Sequence, residues 1–586
     1  MLPYLDEISK KTEVSPSFYG LDRRAVPNDN AFADMKNMTV DHYPAISSRT
    51  ERSELPYDEI LEITEAKNGL VFVKNNKLYW NGTEIASLKE KYPKRFVSMG
   101  AYLIVLPDKI YINLANLNEV SPSKDQVEVG EIEATAVIND TIQFSLCDSN
   151  GKSLPNLVIG SVAPSNPAVN QYWLDVGDKD KLKLWQYTDA WHERKCYLSI
   201  SGADFSQFSK EDSVTFSGFT EDLKHLNGTH VVLNDTATSN TMLIEGIINT
   251  EYISVFDYNS VSIKRAMPAM DFIIESNNRL WGCRYGLNNN NEFVNEIYAS
   301  KLGDFKSWNY FPGTAADSYS VSLGTDGKFT GAINFNGTPL FFRADAMHRI
   351  YGNAPSNYQL QTLPCRGVQK GSERSLKIVN ETLYYKSNNA VCAFDGSLPV
   401  EISDQLGTFQ YYEGVAGAFG DKYYISMREE ETHWGLYCYD TVKRLWVKED
   451  NSHATSFAST TDNIYMKSDE KIYCLRGGEG ESEGSVPWSL TTGNIGYYND
   501  NTKYLSKLNI RTDIPQNSSF RVEISYDTED HWTRLYAHTS KMRKALSLPI
   551  KPRRCDHFRI RLSGEGKFTL FNITKTFEEG SDVCRR

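Results

Sequence analysis

The sequence predicts an all-β protein: a β-propeller with inserted β domain(s) and a C-terminal β-sandwich. Three observations predict it. A turn-plus-strand phrase recurs at propeller spacing, one long β-rich interval breaks that spacing, and the last stretch of chain alternates apolar and polar residues with period two. Composition agrees. Tyr 34, Phe 27 and Trp 10 make the chain 12 % aromatic, with Gly 38 for turns, a balance that favours strands over helices. At 586 residues the chain has room for about four domains.

In the recurring phrase, a polar turn runs into an aliphatic and then an aromatic residue. It reads NNKLYW (75–80), DKIYI (108–112), NNRLWG (277–282), NGTPLFF (336–342), NETLYY (380–385), GDKYYI (420–425), DNIYM (462–466) and DEKIYC (469–474). From Leu280 through Leu340, Leu383 and Tyr423 to Ile464 the steps are 60, 43, 40 and 41 residues. A four-stranded blade needs about 40 to 50. Such a sheet has two apolar faces and buries them only against neighbouring blades, while Asn, Asp and Gly supply the φ > 0 of its hairpins.

In chain order, residues 1–55 form an arm with aromatics and arginines but little strand pattern and one short helical candidate, AFADMKNM (31–38). Such an arm must dock on something. Residues 56–119 hold the first blades. Residues 120–262 interrupt the repeat and read as one or two inserted β domains, including a hairpin whose strands carry Trp173 and Trp185. The remaining blades occupy 263–475. RGGEGESEGS (476–485) reads as a flexible linker. Residues 486–586 form the sandwich, with KYLSKLNIRTDI (503–514), FRVEISYD (520–527), ALSLPI (545–550), HFRIRLSG (557–564) and FTLFNITKTF (568–577) as its strands.

Several function classes recede. Net charge is -12, which argues against a surface that grips nucleic acid throughout. No apolar run is long enough to span a membrane, and the N-terminus lacks the pattern of a secretory signal. Nine cysteines are scattered without a CxxC pair, so neither a zinc cluster nor a disulfide framework is expected, and a reducing compartment is. Histidines are sparse and show no HxH or HExxH spacing; P-loop, GxSxG and GxGxxG patterns are missing. No cofactor, metal or catalytic residue is therefore assigned, and the chain is expected not to be an enzyme. SYDTEDHW (525–532) echoes the S-x-D-x-G-x-x-W boxes of sialidases, but Glu529 stands where the glycine belongs. The basic run KMRKALSLPIKPRR (541–554) is either a patch for an acidic partner or a solvated strand edge.

The layout resembles the tail-hub (tail stabilisation, or nozzle) proteins of short-tailed bacteriophages. The likeness lies in FADMKNMTVDHYPAISSR (32–49), with its turn at Tyr43, Pro44, Ile46 and Arg49. It continues in AMPAMDFIIESNNRLWGC (266–283) with EIYASKLGDFKSWNYF (296–311), and in RCDHFRIRLSGEGKFTLFNITKTFEEGSD (554–582).

The resemblance implies a structural virion protein of the tail, assembled in the bacterial host cytoplasm. It would form a homohexameric ring below the portal and adaptor, carry fibres, spikes or a needle, and pass genome DNA without sequence-specific binding. Interface residues are then expected in the arm: Phe18, Tyr43, Pro44, Arg49 and Arg52. The alternatives are a glycan- or receptor-binding tail component and a propeller glycosidase acting as a depolymerase. The last would need two facing carboxylates.

Overall fold

The computed structural model describes residues 10–579 apart from 90–92, 179–180, 256–260, 430–431, 498–501, 528–530, 540–544 and 552. Seven sheets form a ring. Blade 1 spans 60–87, blade 2 95–131, blade 3 272–322, blade 4 331–364, blade 5 377–401, blade 6 412–450 and blade 7 456–474. In each, the first strand in sequence is innermost and its neighbours pair antiparallel outward. The rows Leu280, Leu340, Leu383, Tyr423 and Ile464 lie on the second strands of blades 3 to 7. Leu78 and Ile110 lie on the third strands of blades 1 and 2. The hairpins turn as their residues require: Asn75 and Asn76, then Asn277 and Asn278, all take positive φ.

Apolar side chains seal each joint between blades. Val73 and Leu78 meet Leu103 and Val105 between blades 1 and 2; Ile104 meets Leu280 between blades 2 and 3. Trp281 meets Phe341, and Leu340 meets Leu383, at the next two joints. Blades 5 to 7 share one core through Tyr384, Tyr423 and Ile464. The ring closes where Tyr465 and Ile472 of blade 7 meet Ile60 and Phe72 of blade 1. Closure is also made through the backbone. Ser53–Glu54, just ahead of blade 1, pairs with Lys471–Cys474 as an added outer strand of blade 7, and Glu481–Ser482 pairs on its other side. The stretch expected to be a flexible linker is therefore pinned, and Glu479 accepts hydrogen bonds from Asn463 (2.7 Å) and Tyr465 (2.8 Å).

The helical candidate at 31–38 is instead two strands, Phe32–Lys36 and Met38–Thr39. A bulge between Phe32 and Asp34, and Asn37 at φ 57°, place Phe32, Met35 and Met38 inward at a spacing that imitates a helix. The arm is woven into the C-terminal sandwich. Phe32–Lys36 pairs with Pro487–Thr492 at the edge of one sheet; Lys10–Ser15 and Ile46–Ser48 pair with Thr569–Glu579 in the other. The sandwich packs on blade 6, sharing a core in which Phe18, Leu21 and Met35 lie with Trp446. Gly20 (φ +70°) passes so close that a Cβ would stand 2.3 Å from the Trp446 carbonyl oxygen.

The insertion begins and ends later than expected. Glu128–Glu131 is still blade 2, although its polar, mostly exposed edge gave no apolar alternation. The inserted sheets run from Ala134 to Arg265 around one core that includes Phe144, Leu198, Phe216 and Ile263. A third sheet, Leu157–Gly160, Tyr172–Asp175, Lys183–Tyr187 and Trp191–Arg194, lays Leu174 and Leu184 on that core. At the neck, Arg265 pairs with Asp212, both almost fully buried, and donates to the Ile132 carbonyl at 2.9 Å.

Candidate functional site

The seven innermost strands line an axial chamber of about 630 Å³. Its walls include Thr64, Phe96, Ser98, Phe272, Asn334, Ser456 and Phe457, together with charged groups that include Glu62, Arg95, Glu373, Arg374 and Lys377. Inner strands converge here because a ring of outward-fanning sheets leaves its first strands nearest the axis.

Ion pairs bolt across the chamber. Glu373 and Arg374 sit on the 3-10 turn Glu373–Ser375 that leads into blade 5. Arg374 grips Glu62 of blade 1 at 2.6 and 3.0 Å and donates to the Thr455 carbonyl ahead of blade 7 at 2.9 Å. Arg95 of blade 2 lies 3.8 Å from Glu373, donates to the Asp271 carbonyl, and covers the Phe272 ring at 4.9 Å. The chamber is thus spanned by side chains from opposite blades. A passage for DNA within one chain is incompatible with these bolts; in a ring, such a lumen would lie between chains.

Two amines at or near the chamber are shifted by burial. Glu65, three residues beyond Glu62 on the same strand, is exposed and does not line the chamber. Burial lowers the Lys377 ammonium, opposed by Glu65. Lys467, lowered likewise by burial, donates to Thr455 Oγ1 at 3.0 Å. Among the described residues, no group of three or more His, Cys, Asp or Glu is arranged to hold a metal ion. Among the described residues, no helix is long and apolar enough to cross a membrane.

The five residues expected at an interface fall into two groups. Phe18 is 2 % exposed and packs on Phe32 with ring centroids 5.6 Å apart. Arg49 donates to Asn37 at 2.8 Å and to Glu483. Arg52 reaches Glu449 and Asp450, each at 2.6 Å, and its backbone N–H donates to Glu483 at 2.7 Å. These three residues are occupied inside the chain, welding arm to blade 6. Tyr43 and Pro44 are exposed. The SYDTEDHW echo falls partly on 528–530, outside the described residues, as does 541–544 of the basic run. Trp532 lies under Arg561, 3.8 Å from its guanidinium carbon.

The chamber residues escaped sequence reasoning because Glu62 and Arg374 are 312 positions apart. The only signals available were the inner strands themselves, such as FTGAINF and EGVAGAF, which line the chamber through Ala332, Ile333 and Asn334 and through Val415 and Ala416.

No protein-family model matches the chain. No curated protein sequence matches it. Solved structures do align. An exo-β-1,3-galactanase from Phanerochaete chrysosporium with galactose aligns at 8 % identity, covering 51 % of this chain and 94 % of that one, with a TM-score of 0.20. Trypanosoma rangeli sialidase with 2,3-difluorosialic acid aligns at 10 % identity over 89 % and 96 %, at 0.19. The Pyrococcus horikoshii acylaminoacyl peptidase aligns at 10 % identity over 72 % and 52 %, at 0.25. The expectation that the chain is not an enzyme is corrected: the aligned proteins include an exo-β-1,3-galactanase and a sialidase, so that expectation is withdrawn, and no activity is carried over to this chain. At these scores the likeness extends to the β-propeller fold alone.

Proposed function

We propose that this chain is a glycan-recognising tail component of a virion, with its ligand held in the axial chamber of the propeller. The observation that carries the reading is the chamber: about 630 Å³, within the range of small-ligand sites. It sets the aromatic rings of Phe96, Phe272 and Phe457 among hydroxyl, amide and charged groups. Sugar rings present C–H faces to aromatics and hydroxyls to such donors and acceptors. Its place in a tail rests on the resemblance carried by 32–49, 266–311 and 554–582.

The experiment is calorimetry of the full chain with oligosaccharides chosen on a glycan array, alongside Lys377→Met. Saturable binding by the wild type, weakened at least tenfold in the variant, supports the chamber as the site. Equal binding by both rejects it.

A second reading, the homohexameric hub ring with portal, adaptor, fibre and DNA contacts, is favoured by one observation. The arm segment that carries the resemblance is the joint between sandwich and propeller, through Asn37, Arg49 and the buried Ile46. Its test is the mass of the protein in solution, alone and with portal complex. About six copies in a ring support it; a monomer indifferent to portal contradicts it.

A further inference from the structure

The basic run 541–554 belongs to a domain whose charge opposes the rest of the chain. Residues 486–586 hold 17 Lys and Arg against 11 Asp and Glu, a net of +6, whereas residues 1–485 hold 46 against 64, a net of -18. The sandwich is therefore the part of the chain to which an anionic partner is drawn. One of its sheets runs Phe32–Lys36, Pro487–Thr492, Phe558–Glu565, Ser519–Tyr526 and Thr533–Thr539. Met35, Leu490, Leu562 and Val522 point from it into the core, which puts the alternate residues on the outer face. The registers set one outer row across all five strands. Lys36 lies beside Ser489, Ser489 beside Ser563, Ser563 beside Arg521, and Arg521 beside Ala537. Small side chains between two cations make this row a trough. With Pro487, Glu565 and Ser519 of the next row it bounds a groove of about 620 Å³. Lys36, Arg521 and Glu565 are exposed, the Arg521 side chain by 54 %. Its ion pair with Glu523 is stretched to 4.0 Å, beyond hydrogen-bond reach.

We propose that this groove binds a carboxylated polysaccharide whose charges are spaced by neutral sugars, at a site separate from the axial chamber and independent of it. The mixture of groups selects that ligand. Lys36 and Arg521 donate to oxyanions, and the guanidinium fork matches a carboxylate at two points. Glu565 only accepts, so the ligand that covers it must also carry hydroxyl donors. A DNA backbone has phosphates and no such donors, and it would meet Glu565 as a like charge. Single-stranded nucleic acid also needs open aromatic platforms. Trp532, at the other end of this face, is instead covered by Arg561, 3.8 Å from its ring centroid. Charge density is limited too. The neighbouring row alternates in sign through Asp34, Arg561, Glu523 and Arg534, which disfavours a densely sulfated chain. Lys36 and Arg521 stand three strands apart, about 14 Å at ordinary strand spacing, with the Ser489 and Ser563 hydroxyls between them. A polymer that separates its carboxylates by hydroxyl-bearing rings places anions at the two cations and hydroxyls at the serines and Glu565.

The test is calorimetry of the full chain with hyaluronan octasaccharide, which bears a carboxylate on every second sugar. Chitohexaose is the neutral control, heparin the densely charged one and a short DNA duplex the nucleic-acid one. Hyaluronan should bind, and more weakly as salt is raised. Arg521→Ala and Lys36→Ala should each weaken that binding about tenfold, while Lys377→Met leaves it unchanged. Thermal melts matching wild type confirm that the variants fold; because Lys36 is on the edge strand, Lys36→Ala serves if Arg521→Ala does not. No binding of hyaluronan, binding that survives both substitutions, or equal binding of chitohexaose would overturn the proposal. So would tighter binding of heparin or of the duplex. Loss of binding in Lys377→Met alone would place the saccharide in the chamber and also overturn it.

Discussion

Removing residues 1–55 is expected to abolish folding of the sandwich and to open the propeller ring, so that the truncated chain is recovered as aggregate. The arm contributes strands to both sandwich sheets and the added outer strand of blade 7. It also buries Phe18, Leu21, Phe32, Met35, Met38, Val40 and Ile46. Burying each such side chain is worth about 1.5–3 kcal/mol, and a folded domain has only about 5–15 kcal/mol in hand. Their summed loss, about 10–20 kcal/mol at that rate, matches or exceeds that margin. Soluble yield and far-ultraviolet circular dichroism of the truncated chain check this. A soluble, native-like monomer that merely fails to assemble, the behaviour expected of an arm that docks elsewhere, would show that these strands are dispensable.

The second large effect is expected at Arg52. Its side chain is almost fully buried between Glu449 and Asp450. Arg52→Met leaves two buried carboxylates facing each other without a cation, a loss of about 3–5 kcal/mol. Thermal melting should show it as a clear fall in Tm. Replacing Glu449 and Asp450 by Gln and Asn in the same variant should recover most of the loss, because the uncompensated charge is then gone. An unchanged Tm for Arg52→Met alone would contradict the weld.

The same site sets a pH dependence. Burial pushes the Asp450 carboxyl up, but Arg52 outweighs it and holds the group below the usual range; Glu483, opposed by burial and held by Arg49, is lowered too. A carboxyl lowered in the folded state binds its proton more readily when unfolded. The stability it contributes is therefore complete above the unfolded pKa of about 4 and declines as pH falls through the folded value. Wild-type Tm should drop on acidification below about pH 4, and Arg52→Met should lose the Asp450 share of that drop.

What could be read from residues alone follows local physics. Blades 3 to 7 were legible because each hairpin needs left-handed backbone, which Asn277, Asn336 and Asn380 supply at regular intervals. The sandwich strands were legible by alternation, although Thr533–Thr539 and Pro487–Thr492 were missed. The arm was misread because a bulge gave Phe32, Met35 and Met38 helix-like spacing, and because Ser53–Glu54 is too short to carry a pattern. Trp173 and Trp185 could be placed on one hairpin, but not Trp191 beside them. The chamber was illegible: Arg374–Glu62 and Arg95–Glu373 join positions remote in sequence, and nothing local marks either partner.

The most direct measurement of glycan recognition in the chamber is hydrogen–deuterium exchange of the full chain with and without an array-selected oligosaccharide. The expected result is slowed exchange in the inner strands, foremost Ile60–Ala66 and Lys377–Val379, and its loss in Lys377→Met. Exchange unchanged at those strands while the sugar is bound would contradict recognition in the chamber.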